Sequence, residues 1–256
     1  MATKLSICTT NYNCAHSLAK HLESVYRRLE GFDFEYIIVD NKSTDDSWGI
    51  LQNWARNFPN MKIASRRCTM GAGRQFAFKE SEGGYIMVLD TDVVYSELLR
   101  RLVDQYLDHH SMFSLQAIFC GLFPRQQWIN VGGRRNLNTN EDVDMWIRLW
   151  RLGTMRWYPV STGDHQKEPW AEGSSDYRSL RYPKRERVRR LLRREWDFFV
   201  TRNLESLDLG AIIAANTIDI GIGPAPGVWP STRTRRARAQ HMVEFGRELK
   251  TLTRRP

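Results

Sequence analysis

Three short apolar runs in this chain each stop on a cluster of polar residues, and helical patterns lie between them. Lys4 to Thr9 (KLSICT) leads into Thr9–Asn13, Phe34 to Val39 (FEYIIV) into Asp40–Asp45, and Tyr85 to Leu89 (YIMVL) into Asp90–Asp92. Between the first two runs, Leu18, Leu22, Val25 and Leu29 recur at helical spacing over His16–Leu29. Ser47–Phe58 reads as a second helix with Asp45 or Asp46 as its N-cap. Met61–Ala64 is a short strand candidate, and a third helix spans about Ala72–Ser81, with Gly83 and Gly84 to stop it. Strands alternating with helices imply right-handed βαβ units and an α/β, Rossmann-type sheet that is mostly parallel. Ligands bind at the carboxyl ends of such strands. A lone Asp after a strand is more often a helix cap, but three polar strand ends in one open sheet shift the reading toward a ligand site.

The second half is less regular. Ser114–Phe123 is predicted as one apolar strand, Gly132-Gly133 as a turn, Glu141–Leu152 as a helix ended by Gly153, and Trp157–Val160 as a short strand. With 256 residues and 41% hydrophobic residues the chain affords a sizeable core without disulfide staples. Its four cysteines, Cys8, Cys14, Cys68 and Cys120, form no CxxC pair, which argues against structural zinc or a redox dithiol. Cys8 and Cys120 lie in apolar runs and read as core, and a reducing, cytoplasmic compartment is expected. The opening MATKLSICTT lacks the pattern of a signal peptide, and no stretch reaches the roughly 20 apolar residues of a membrane-spanning helix.

Leu89-Asp90-Thr91-Asp92 carries the sharpest chemistry. Two carboxylates one residue apart, just past a buried strand, suit a hard divalent cation such as Mg²⁺ or Mn²⁺. A pyrophosphate leaving group needs such a cation, because charge builds on its oxygens as its bond breaks. Alone, a D-x-D is also compatible with a capped turn.

Its neighbours in the sequence add a resemblance. Ser6 to Asn13 (SICTTNYN) resembles the first strand and nucleotide-binding turn of the family-2 glycosyltransferases, which have the GT-A fold. Val39-Asp40-Asn41-Lys42-Ser43-Thr44-Asp45 resembles their V-D-D-G-S-T-D stretch, and Gly71-Ala72-Gly73-Arg74-Gln75 loosely resembles G-x-x-x-A-R-N. Gly132-Gly133 followed by Glu141-Asp142-Val143-Asp144 is similar to their acceptor-side G-G and E-D pair, and Tyr158-Pro159 with His165 to an ending in which a His completes the metal site. The resemblance covers about residues 4–166. The chain departs from it at Thr10 (usually Pro), Asn11 (Thr), Asn41 and Lys42 (Asp and Gly) and Gln75 (Asn), while the D-x-D and E-D pairs are intact.

The resemblance implies inverting transfer of a sugar from a nucleotide-sugar to an acceptor hydroxyl. Thr10, Tyr12, Asp40, Arg74, Asp90 and Thr91 would form the donor site, with Asp40 on the nucleobase, Thr10 and Tyr12 lining its pocket, and Arg74 near base or pyrophosphate. Asp90, Asp92 and His165 would hold Mg²⁺ or Mn²⁺, with Asp164 as an alternative ligand. Asp142 would be the general base, within hydrogen-bond reach of the acceptor hydroxyl, and Glu141 would orient the acceptor. Acidic residues also favour the first turn of any helix, and a lone His is more often packed or at the surface. Trp128, Trp146, Trp150 and Trp157 are candidates for stacking on a sugar, although the i, i+4 spacing of Trp146 and Trp150 favours core packing. A non-catalytic nucleotide-sugar or glycan-binding protein of the same fold is the main rival. A nucleotidyltransferase is a weaker one, because Thr9–His16 lacks a Gly-rich loop with Arg and Lys.

The net charge of +9 is uneven. Residues 1–177 carry 20 Lys and Arg against 21 Asp and Glu, whereas residues 178–202 carry 10 against 3 and residues 233–256 carry 8 against 2. We therefore divide the chain into a catalytic domain, 1–177, and a basic, mainly helical extension, 178–256. Arg181–Phe199 reads as an amphipathic helix, with Val188, Leu191, Leu192, Trp196 and Phe199 on one stripe and Arg185, Arg189, Arg190, Arg193 and Arg194 mostly off it. That pattern suits the surface of an anionic membrane, where attachment would bring the enzyme to a lipid-linked acceptor; the transferase itself would act on a glycan or lipid-linked acceptor. The competing reading is a stripe packed on the catalytic domain. Nucleic acid fits less well, because the regular aromatic interleaving of RNA-binding modules is missing.

Overall fold

The structure is a computed structural model of the chain and describes residues 5–138 and 141–166. The predicted basic extension from residue 178 lies outside the described residues. The first strands and helices alternate as the sequence predicts: β1 (Leu5–Asn11), α1 (Ala15–Arg28), β2 (Phe34–Asp40), α2 (Ser47–Asn57), β3 (Met61–Ser65), α3 (Met70–Lys79) and β4 (Tyr85–Leu89). Then follow β5 (Val93–Tyr95), α4 (Glu97–Gln105), a π-helical turn over Tyr106–His110, β6 (Ser114–Ile118), β7 (Cys120–Pro124), α5 (Arg125–Asn130), α6 (Glu141–Arg151), β8 (Met155–Ser161) and β9 (Gly163–His165).

Seven strands form the main sheet in the order β3-β2-β1-β4-β7-β6-β8, with β5 and β9 in a separate antiparallel pair. Strands β1 to β4 are parallel, and β7 alone runs against its neighbours. Both faces of the central strands β1, β2 and β4 are covered, which is why they read as mainly apolar runs, whereas β3 has only Met61 buried. Ile7, Ile38, Met87 and Leu89 face one core with Leu18, Leu22, Val25 and Leu29 of the α1 segment. Their neighbours Cys8, Ile37, Val39, Ile86 and Val88 face the other core, with Phe78, Trp128, Met145 and Leu149. Cys8 and Cys120 are wholly buried, as their apolar settings predict.

Several expectations change. The Ser114–Phe123 segment is a hairpin, β6 and β7, reversed at Phe119, whose φ is +68°. No Gly, Asn or Pro marks the reversal, so an unbroken apolar run hides it. The third helix starts and ends earlier than predicted: Thr69 caps it, its Oγ1 accepting from the Ala72 amide at 3.1 Å, and it stops at Lys79, before the two glycines. Asp46 holds the N-cap position of α2 without a side-chain cap bond, and Asp45 supplies the bond instead, its Oδ1 accepting from the Ser47 amide at 3.0 Å. Its Oδ2 accepts from the Ala15 amide at 2.9 Å, so one carboxylate serves two helix starts. Helix α5 and the β5–β9 pair were not anticipated.

Candidate active site

The carboxyl ends of β1 and β2 lie side by side, Asn11 opposite Asp40. Asn11 donates its amide to Asp40 Oδ1 at 2.9 Å, and Ser43 donates its hydroxyl to the same oxygen at 2.5 Å and its backbone amide to Oδ2 at 2.9 Å. Asp40 is 1% exposed, so these contacts turn it inward as the organiser of the loop. Asn13 and Lys42, at φ +51° and +55°, let the two loops fold back. The Thr44 amide donates to Asn13 Oδ1 at 2.8 Å and the Asn13 amide to Ser43 Oγ at 3.0 Å, cross-tying the loops. Thr10, Tyr12 and Asn41 remain half-buried at this mouth. Asn41 accepts from the Cys68 amide at 2.8 Å, which joins the loop after β3 to the same floor. Helix α3 approaches Thr10 so closely that a Cβ on Gly73 would lie 2.3 Å from Thr10 Cγ2.

At the end of β4, Thr9 donates its hydroxyl to the Leu89 carbonyl. Asp92 Oδ2 then lies 3.1 Å from His165 Nε2. The β5–β9 pair makes this contact: Val93 is in register with His165, and the Gln166 amide donates to the Asp92 carbonyl at 2.7 Å. Asp164, the alternative ligand, alternates away from His165 on β9 and is exposed. Thr91 is 5% exposed, and its carbonyl accepts from Ser17 Oγ at 3.3 Å.

Arg74 links the D-x-D turn to the acidic helix start. One of its guanidinium nitrogens lies 2.8 Å from Asp90 Oδ1 and another contacts Glu141 Oε1. Arg134 reaches the same Glu141 oxygen at 3.4 Å and lies over the Trp128 ring at 5.5 Å. All three of Arg74, Arg134 and Glu141 are buried. Gln75 holds the second arginine's loop, its Oε1 accepting from the Arg134 amide at 2.8 Å and from Trp128 Nε1 at 3.0 Å. Gly133, at φ +69°, is needed there because a Cβ would lie 2.2 Å from Gln75 Oε1. Burial pushes the Glu141 carboxyl up from its ordinary value and the Asp142 charge adds to this, while Arg74 and Arg134 pull it back. Burial, with the charge of Arg74, pushes the Arg134 guanidinium down to about 10. Asp142 stands beside Glu141 on the first turn of α6, half-buried, its Oδ1 accepting from the Val143 amide at 2.8 Å.

The structure pairs Asp92 with His165 but turns Asp90 to Arg74, so the three expected metal ligands do not form one cluster among the described residues, and Arg74 joins Asp90 to Glu141. Trp128 and Trp157 are in the core, 0% and 4% exposed, which corrects their candidacy as sugar platforms. Trp146 and Trp150 pack against the same core, as their spacing favoured. Arg134 was missed, although its place directly after Gly132-Gly133 was the available signal. Tyr95 and His21, buried beneath the D-x-D turn, were also missed, and no sequence pattern marks them.

Residues 6–163 match the family described as glycosyl transferase family 2. A poly(ribitol-phosphate) beta-glucosyltransferase of Bacillus spizizenii is 35% identical over 103 residues, which cover 38% of this chain and 16% of that protein. A beta-monoglucosyldiacylglycerol synthase of Synechocystis is 24% identical over 225 residues, covering 62% and 47%. The chain thus spans less than half the length of either relative. Among solved structures, a mannosyltransferase of Pyrobaculum calidifontis in complex with GDP-Man and Mn²⁺ superposes with a TM-score of 0.57 at 13% identity, covering 100% of this chain and 89% of that one. Residues 1–349 of Staphylococcus aureus TarS in complex with UDP-GlcNAc give 0.54 at 14% identity, covering 99% and 92%. At such identities these structures establish the fold, a mostly parallel sheet of the GT-A type between helices. On the match over most of its length, the chain belongs to glycosyl transferase family 2.

Proposed function

We propose that this protein is a metal-dependent glycosyltransferase that moves a sugar from a nucleotide-sugar to an acceptor hydroxyl, with inversion at the anomeric carbon. The observation that carries the reading is the Asp92–His165 pair, 3.1 Å apart, at the same sheet edge as the Asp90–Arg74–Glu141 chain. Carboxylate oxygen and imidazole nitrogen are a donor set that Mn²⁺ or Mg²⁺ accepts. No group of three or more His, Cys, Asp or Glu able to hold a metal occurs among the described residues, so donor phosphate and water would supply the remaining ligands. When bound, the cation would neutralise charge developing on the pyrophosphate leaving group.

The chain's own residues have separable tasks. Thr10, Tyr12 and Asn41 line the mouth that takes the nucleobase, and Asp40 shapes that mouth through Ser43 and Asn11. Arg74 is committed to Asp90 and Glu141, so it sets the spacing between the donor turn and α6. Asp142 takes the proton from the acceptor hydroxyl as its oxygen attacks the anomeric carbon opposite the departing nucleoside diphosphate. Glu141, held by two arginines, orients the helix turn that presents Asp142. The names of the relatives, one acting on poly(ribitol-phosphate) and one on a diacylglycerol lipid, support a glycan or lipid-linked acceptor. The basic residues from 178 onward support a cytoplasmic enzyme peripheral to an anionic membrane.

The test is donor binding and hydrolysis across UDP-, GDP- and dTDP-sugars, with Mn²⁺ or Mg²⁺, with EDTA, and in Asp92→Ala. Metal-dependent binding of one donor, abolished in Asp92→Ala, is expected. Donor binding with no turnover on any acceptor would favour a non-catalytic binder of the same fold, and no binding to any donor would refute the reading.

A further inference from the structure

We infer that Tyr95 and Phe119 are a positioning pair that fixes the Asp92–His165 contact and thereby the affinity for the divalent cation; this rests on the transferase reading above. Tyr95 ends β5 and is 1% exposed. Its hydroxyl accepts from the Asp90 amide at 3.0 Å and donates to the Phe119 carbonyl at 2.7 Å. One phenol therefore ties the D-x-D turn to the tip of the β6–β7 hairpin. The same tip holds the lead into β9, because the Ile118 carbonyl accepts from the Thr162 hydroxyl at 2.8 Å and from the Thr162 amide at 3.3 Å. Both segments that carry the Asp92–His165 pair thus hang on one turn.

Phe119 is the single residue between β6 and β7, and its φ of +68° lies in the left-handed region. A bulky aromatic residue pays a steric cost there that Gly avoids and Asn tolerates better. The side chain packs partly against the first core, an apolar contact that a smaller residue would also forfeit. Strained backbone of this kind persists where surrounding contacts over-determine it, and such positions cluster at functional sites. Beyond that core contact, the ring meets the His165 ring edge-on, centroids 5.9 Å apart at 61°. His165 is then held between the Phe119 ring and the Asp92 carboxylate. A residue that orients a metal-binding imidazole acts through the ligand and does not touch the cation.

The experiment uses the full chain and three variants, Phe119→Gly, Phe119→Ala and Tyr95→Phe. Mn²⁺ binding is titrated by the electron paramagnetic resonance signal of free Mn²⁺, with saturating UDP or GDP, whichever the parent binds, and the Tm of each protein is recorded. Both Phe119 variants lose the ring, but only Gly relieves the backbone. We expect Phe119→Gly to melt above Phe119→Ala while both bind Mn²⁺ about tenfold or more weakly, the loss usual when support of a metal ligand is removed. Tyr95→Phe should weaken Mn²⁺ by a similar factor. A merely structural role moves affinity together with Tm and does not separate them in the Gly variant. Parent-like Mn²⁺ affinity in the folded Phe119→Gly and Tyr95→Phe proteins would overturn the positioning role and leave the transferase reading standing. A parent chain that binds no Mn²⁺ with any nucleotide would overturn both.

Discussion

His21 is completely buried under the D-x-D turn, between two fixed partners. Its Nδ1 lies 2.9 Å from the Val93 carbonyl, which only accepts, so Nδ1 carries the proton and Nε2 accepts from the Tyr36 hydroxyl at 2.6 Å. Burial lowers its pKa from 6.5 to about 4. For a base depressed on folding, the unfolded chain takes up a proton between these values and the folded chain does not. Stability is therefore full above about pH 6.5 and falls as the pH drops toward 4, by about 3 kcal/mol over the whole window. Urea denaturation from pH 7 to 4 should show this slope, and His21→Gln should flatten it. The Arg74–Glu141–Arg134 cluster makes a second residue-scale prediction. Glu141→Gln leaves the buried Arg134 guanidinium without its carboxylate and takes one of two from Arg74, which keeps Asp90; this costs about 3 kcal/mol or more. Adding Arg134→Met to that variant removes the stranded charge, so the double variant should be more stable than Glu141→Gln alone. Additive losses in urea denaturation would show that Arg134 is compensated elsewhere. The carboxylates of this site were legible because their chemistry is carried by residue type and spacing. Arg134, Tyr95 and His21 were not, because what defines each of them is a partner distant in sequence.

At the scale of elements, the sequence is clearest where burial is most regular. Strands β1, β2 and β4 show as short apolar runs because both of their faces are covered, and α1 because Leu18, Leu22, Val25 and Leu29 fall on one stripe. The β6–β7 hairpin fails this test: its reversal at Phe119 uses a residue that ordinarily extends a strand. The β5–β9 pair fails for another reason, since two three-residue strands paired across most of the domain leave no local pattern. Close approach of elements is similarly invisible until glycine reveals it. Gly73 lets α3 lie against Thr10, and Gly73→Ala should force the helix off the end of β1, costing about 1–3 kcal/mol and weakening donor binding. Gly84 is the control, since a Cβ there meets nothing within 4 Å, and Gly84→Ala should leave both stability and binding nearly unchanged. Equal effects of the two substitutions on donor affinity would remove the α3–β1 contact from the account of the donor pocket.

At the scale of the whole molecule, charge separates two regions that the fold alone does not distinguish. The family match and the described elements both end near residue 166, within a stretch whose Lys and Arg are balanced by Asp and Glu. Nearly all the net charge comes later, and no helix among the described residues is long and apolar enough to cross a membrane. A peripheral enzyme that uses a lipid-linked acceptor needs attachment that is strong enough to concentrate it at the surface and weak enough to allow release. Clustered arginines meet that need: each contributes about 1 kcal/mol near an anionic surface, and the attraction decays within a Debye length of roughly 10 Å at 0.1 M salt. The full chain should therefore float with phosphatidylglycerol vesicles at low ionic strength, stay in solution with purely phosphatidylcholine vesicles, and be released as salt is raised. Replacing Arg185, Arg189, Arg190, Arg193 and Arg194 by Gln removes five charges from one short stretch and should abolish flotation. Donor binding should survive that change, because the pocket-lining and metal-site residues all lie before residue 166. If the substituted protein floats as well as the parent, the arginines are not the anchor. If it loses donor binding, the stripe packs on the catalytic domain and the membrane reading gives way to a structural one.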